Sequence, residues 1–116
     1  IYDNNRIRKY DNSLSSENRV LIYDFEQKKY SEYLKSSISS QNISSPIQSL
    51  HTILPNKDLF IEETMMGRLL YFNSDGELIW TYKNRADNNK VGILGWSRII
   101  YEKNDLEKIR NFLNNK

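Results

Sequence analysis

The sequence predicts an all-β chain of four-stranded antiparallel meanders, closed by one short α-helix. Three observations carry this expectation. Short apolar and β-branched runs recur between turn-forming residues from Leu50 to Tyr82. Two of them, Leu59-Phe60-Ile61 and Leu69-Leu70-Tyr71-Phe72, are apolar without alternation. A segment near the N-terminal end is echoed 49 residues later. Strands that are apolar on both faces belong to sheets covered on both sides, and a single four-stranded sheet cannot cover itself.

In order along the chain, Ile1-Tyr2-Asp3-Asn4 reads as the end of a strand entering a loop, and the polar stretch to Glu17 as the loop itself. Arg19 to Asp24 (RVLIYD) and Lys29 to Leu34 (KYSEYL) pair as a hairpin turning near Glu26-Gln27. The Ser-rich stretch after Leu34 is expected to be a surface loop over 35–46, too polar to drive packing. Leu50 to Leu54, Leu59 to Thr64, Gly67 to Phe72 and Glu77 to Tyr82 then make one complete meander within 47–84. Pro55-Asn56-Lys57-Asp58 supplies its first turn, and Asp75-Gly76 the positive φ of its last. Beyond the polar loop from Asn84, Val91 to Ile100 is expected to be a strand bent at Gly92 and Gly95, within a closing region at 85–103. A helix is expected over 104–116. Asn104 is its N-cap with Glu107 at capping-box spacing, and Leu106, Ile109, Phe112 and Leu113 form a stripe that must dock on something.

Composition narrows the function classes. A length of 116 residues suits one small core. With 17 Lys+Arg against 15 Asp+Glu there is no basic stripe, so nucleic-acid binding has no electrostatic support. The absence of Cys removes disulfides, zinc knuckles and thiol nucleophiles, and one His cannot hold a metal by itself. No apolar run nears the roughly 20 residues of a membrane span. No metal or organic cofactor is indicated.

The internal echo is between RVLIYDFEQKKYSEYL from Arg19 and RLLYFNSDGELIWTYK from Arg68. Its offset falls in the ~40–50-residue period of β-propeller blades, each a four-stranded meander stacked on its neighbours. The run HTILPNKDLFIEETMMGRLLYFNSDGELIWTYKNR (51–85) resembles the blades of bacterial arylsulfotransferase-like, quinoprotein-like β-propellers. In that family Leu-Pro-Asn-Gly ends a strand, Gly-Arg opens the third, and Asp-Gly-Glu-x-x-Trp-x-Tyr closes the blade. IYDNN and ENRVLIYDF resemble second- and third-strand elements of the same family. Lys57 and Asn5 stand where the family has Gly. The resemblance implies that 1–34 is part of one blade, that 47–84 is a complete blade, and that the chain is the C-terminal fragment of a larger ring, its first residue not being Met.

The resemblance also implies a site. It places His51 on a strand facing the central channel, where arylsulfotransferases use one histidine as the nucleophile that carries a sulfuryl group and others, with Arg and Asn, to stabilise its oxygens. The alternative for His51 is a partly exposed strand residue with a hydrogen-bonded ring. Arg68 could reach an anion, or pair with Glu62 or Glu63 across the turn. Asn4 with Arg6 is the other polar group that resembles a functional loop of the family, and is equally read as a solvated basic segment. Trp80 and Tyr82 are expected to pack between blades, and Glu62 and Glu63 to be turn and surface residues. Asn42-Ile43-Ser44 matches a glycosylation sequon.

The implied activity of the parent protein is sulfuryl transfer between phenolic compounds through a histidine intermediate. Its partners are then a small aromatic or sulfated molecule and the neighbouring blades, the isolated chain is inactive, and the location is periplasmic or extracellular. The alternative is a non-catalytic propeller serving as a binding or scaffold module. A self-contained α+β domain is a third reading.

Overall fold

Runs of β-branched and aromatic residues settle into two antiparallel sheets in the structure, a computed structural model that describes residues 2–3, 18–43, 45, 49–87 and 89–115. The first sheet holds β1 (Tyr2–Asp3), β2 (Arg19–Asp24) and β3 (Lys29–Tyr33) in that order. The second is a four-stranded meander of β4 (Leu50–Ile53), β5 (Leu59–Glu63), β6 (Arg68–Phe72) and β7 (Leu78–Lys83). Among the described residues two α-helices, α1 (Lys35–Ser40) and α2 (Lys103–Asn114), and one 3-10 turn at Thr64–Met66 accompany the sheets. The mostly-β class with a C-terminal helix is the one the sequence predicts.

The 49-residue echo is carried by the pairing itself. Val20 faces Tyr33, Leu21 faces Glu32 and Ile22 faces Ser31 in the first sheet; Leu69 faces Tyr82, Leu70 faces Thr81 and Tyr71 faces Trp80 in the second. Asp3 opposite Arg19 likewise matches Glu63 opposite Arg68, although only the two arginines keep the 49-residue spacing. The two hairpins part only near their tips. In the first, the Asp24 carboxylate accepts hydrogen bonds from the backbone N–H of Glu26 and of Gln27, both at 2.8 Å. In the second, Asn73 Oδ1 accepts from the N–H of Asp75 and Glu77, and a bulge sits between Tyr71 and Phe72. Gly76 there has φ +88°, the backbone conformation that demands glycine, and a Cβ on it would also press on the Ser37 hydroxyl, which would have to turn aside.

Alternation assigns the faces of the second sheet. Leu59, Ile61, Leu70 and Phe72, with Ile53 and Leu78, share the face that packs on Val20, Tyr33, Leu34, Ile38 and Ile43, so the core lies between the meander and the first sheet with its helix. On the opposite face, Trp80 stacks on Tyr71 at 5.6 Å with the rings 7° from parallel, and lies 6.2 Å from Phe60. That aromatic row is built within one sheet, and Trp80 and Tyr82 remain 40% and 48% exposed. Asp58 ties two turns together: it accepts from the Tyr71 hydroxyl at 2.6 Å, from Asn56 at 2.7 Å and from the Ser74 N–H at 2.9 Å. The Tyr71 bond leads the effects that hold its carboxyl below the ordinary range, burial opposing them.

Several expectations are corrected. The Ser-rich segment is not all loop: Lys35–Ser40 is helical, and Ile38 and Ile43 are 2% and 0% exposed in the core. Two isoleucines in a polar stretch suffice to pin it, helped by Asn18, which exchanges hydrogen bonds with the Ser45 backbone at 3.0 and 3.2 Å. The strand expected over 91–100 is reduced to a bridge between Arg85 and Val91. Trp96 takes a positive φ of 62°, and the segment's N–H groups turn to Asn84 O, Thr64 O and the Glu62 side chain instead of a ladder. Helix α2 begins at Lys103 with Glu102 as its N-cap, because the N–H of Asp105 and Leu106 both bond to the Glu102 carbonyl. Its stripe is open, with Ile109, Phe112 and Leu113 at 40%, 62% and 63% exposure. Lys57 has φ +72°, which gives the physical reason for glycine in the pattern that it departs from.

Truncating Ile43 tests the docking of the Ser-rich segment. Ile43→Ala is expected to cost about 2–3 kcal/mol in a urea titration, while Ser36→Ala on the exposed side of α1 stays within about 0.5 kcal/mol. Equal effects would refute the docked arrangement.

Candidate functional site

His51, Glu62, Glu63 and Arg68 lie toward one end of the meander, where β4 begins, β5 ends, β6 begins and β7 ends. His51 is the second residue of β4, directly opposite Ile61. It is half-buried, and burial is the leading cause that pushes its imidazole below the ordinary value of 6.5, so the neutral ring predominates at neutral pH.

Arg68 opens β6 opposite Glu63. Its Nε donates to Glu63 Oε2 at 2.5 Å, and its Nη2 donates to the Gln41 carbonyl at 3.0 Å, just beyond α1. Glu63 is 1% exposed, so the guanidinium is the counter-charge of a buried carboxylate and also a strut to the Ser-rich segment. Register places His51 and Arg68 on the same face with β5 between them. Strand spacing and rise set their Cα atoms roughly 12 Å apart, so the two do not form a contact pair. Asn4 and Arg6 lie outside the described residues.

Sequence reasoning offered Glu62 or Glu63 as the partner of Arg68, which Glu63 is, but missed the burial of both, because acidic residues before a turn ordinarily face solvent. Glu62 is 0% exposed on the opposite face from Glu63. Its Oε1 accepts from the Thr64 hydroxyl at 2.8 Å and its Oε2 accepts from the Ser97 N–H, while Leu94 N–H bonds to the Thr64 carbonyl at 3.1 Å. Burial pushes the Glu62 carboxyl up, but the hydrogen bonds from Ser97, Thr64 and the Trp96 backbone together outweigh it and hold the group below the ordinary carboxylate range. The unbroken apolar run up to Ile61 was the available signal that β5 is covered on both faces through its end.

The shift of Glu62 has a signed consequence. A carboxylate whose folded value is depressed adds stability that is fully present above its unfolded value and is lost as pH falls through the folded one. Acidification below the ordinary carboxylate range is therefore expected to loosen the 94–97 segment, seen as faster amide exchange at Leu94 and Ser97 after correction for intrinsic rates. Glu62→Gln should remove most of that pH dependence; the same acid response in the variant would refute it.

A pocket of 330 Å³ adjoins this end, lined by Arg68, Glu63, Lys83, Gln41, Asn42, Met66 and Val91. Among the described residues no group of three His, Cys, Asp or Glu side chains could hold a metal ion, and no helix is long and apolar enough to cross a membrane.

The family model described as arylsulfotransferase (ASST) matches residues 1–85, both sheets and the end of the meander included. No curated protein and no solved structure matches the chain.

Proposed function

The chain belongs to the arylsulfotransferase family, and from that premise we propose that the complete protein is a β-propeller enzyme that moves a sulfuryl group from an aryl sulfate to a phenol, with His51 as the carrier. The family match over residues 1–85 is the observation that carries this reading. In the proposed first step the neutral imidazole nitrogen attacks sulfur as the S–O bond to the aryl group breaks, and the phenolate leaves and takes up a proton. In the second, the acceptor phenol gives up its proton as its oxygen attacks sulfur, and the S–N bond breaks to restore the imidazole. Charge that develops on the sulfuryl oxygens calls for cationic and amide donors, the role proposed for Asn4, Arg6 and, where it can serve substrate as well as Glu63, for Arg68. The lowered basicity of His51 supports the role, since the attacking form needs no prior deprotonation at neutral pH.

A second reading, a non-catalytic binding or scaffold module, is favoured by one observation: the Arg68 guanidinium is engaged by Glu63 and by the Gln41 carbonyl, within the fold. Turnover of the complete protein with an aryl sulfate donor and a phenol acceptor, with and without His51, separates the two.

A further inference from the structure

Three cations surround one pocket at the outer edge of the meander. Lys83 ends β7, and the chain then turns back through a loop closed by the Arg85–Val91 bridge and by a 2.9 Å hydrogen bond from the Ala86 N–H to the Lys90 carbonyl. That closure holds Arg85 and Lys90 on facing limbs. Together with Lys83, Ala86, Asn89 and Val91 they line a pocket of 350 Å³.

None of the three cations forms an ion pair among the described residues. Asp87, the acid of the same loop, is exposed and pairs with none of them. The neighbouring Arg68 is balanced by Glu63, so the uncompensated charge belongs to Lys83, Arg85 and Lys90. Three cations against one acid over 83–91 equal the formal charge of the whole chain, +2, so the positive field is local and not a property of a basic protein. Like charges held around one cavity repel, and an anion seated among them turns that repulsion into charge-assisted hydrogen bonding.

We propose that this pocket binds a small tetrahedral oxyanion, the group shared by sulfate and phosphate monoesters. Lys83, Arg85 and Lys90 supply its donors. The pocket is built on β7 and the following loop, whereas His51 lies on β4 at the other edge of the sheet, so the proposal stands apart from the carrier role of His51.

The test is a titration of the full chain followed by amide NMR, with sodium sulfate, inorganic phosphate and phenyl phosphate in separate arms and sodium chloride at matched ionic strength as reference. Saturable shifts at Ala86, Asn89 and Val91 are expected with the oxyanions and not with chloride. The tighter of the sulfate and phosphate arms identifies which ester the pocket suits. Replacing Lys83, Arg85 and Lys90 together by Gln is expected to weaken binding by about tenfold or more, and since all three side chains are exposed the variant keeps its fold, checked by its unchanged core resonances. His51→Ala should bind as the parent does, which separates this outcome from the fate of the carrier reading. Shifts that follow ionic strength alike in every salt, or undiminished binding in the triple variant, overturn the proposal.

Discussion

Replacing His51 by alanine in the complete protein is expected to lower sulfuryl transfer by roughly a thousandfold or more, the scale on which loss of a covalent nucleophile acts. The side chain is half-buried at the end of a strand, so the fold should survive the change, and a circular-dichroism melt close to that of the parent would show that chemistry and not folding was lost. The pH profile offers an independent signature. Because burial depresses the imidazole below its ordinary 6.5, the acid limb of kcat/KM should fall at a lower pH than for an exposed histidine. Turnover unchanged in His51→Ala would end the carrier reading and leave the binding module standing.

The second large effect concerns stability. Arg68→Met takes the counter-charge from Glu63, which is 1% exposed, and removes the donor to the Gln41 carbonyl. Breaking a buried pair from one side costs about 3–5 kcal/mol, because the remaining charge stays desolvated. Replacing both members, Glu63→Leu with Arg68→Met, should recover most of that loss, since no buried charge remains. A urea titration of the two variants reads the difference. An Arg68→Met chain as stable as the parent would show that the pair does not support the fold, and would free the guanidinium for a ligand.

The parts that could be read in advance were those governed by local chemistry. The Asp75-Gly76 hairpin announced itself because one tight turn needs positive φ, and the four runs from Leu50 to Tyr82 fell into register because apolar residues and turn residues agreed. What escaped reading depended on distant partners. Glu62 is buried because a segment 35 residues away brings its backbone N–H to it, and Ile43 is buried because the meander and the first sheet meet where it stands. The expected strand after Val91 failed for the converse reason: its residues have strand propensity, but the donors there found single acceptors on Glu62, Thr64 and Asn84 before any neighbouring edge. Of the candidate site, His51 and Arg68 could be picked out as residue types and a Glu partner for Arg68 across the turn could be named, whereas the choice of Glu63 over Glu62 and the bond to Gln41 are matters of register and tertiary packing. The loop cations at 83–90 passed as ordinary surface, since no linear pattern shows that a single bridge would fold them around one cavity.

The bulge between Tyr71 and Phe72 bears on how such a chain tolerates insertion and deletion. From Leu69–Tyr82 to Tyr71–Trp80 the second hairpin repeats the pairing of the first, 49 residues on, and the two differ only beyond that point. Left-handed backbone falls at Lys28 in the first tip and at Gly76 in the second, one position short of the same spacing, and the bulge absorbs the difference. A one-residue change inside β6 would turn one of Leu70 and Phe72 off the core face, and one inside β7 would shift the face of part of that strand in the same way. At the tip the same change costs one unpaired residue. Length variation between copies of this unit therefore belongs at the hairpin ends, and the strands themselves can be inherited only whole.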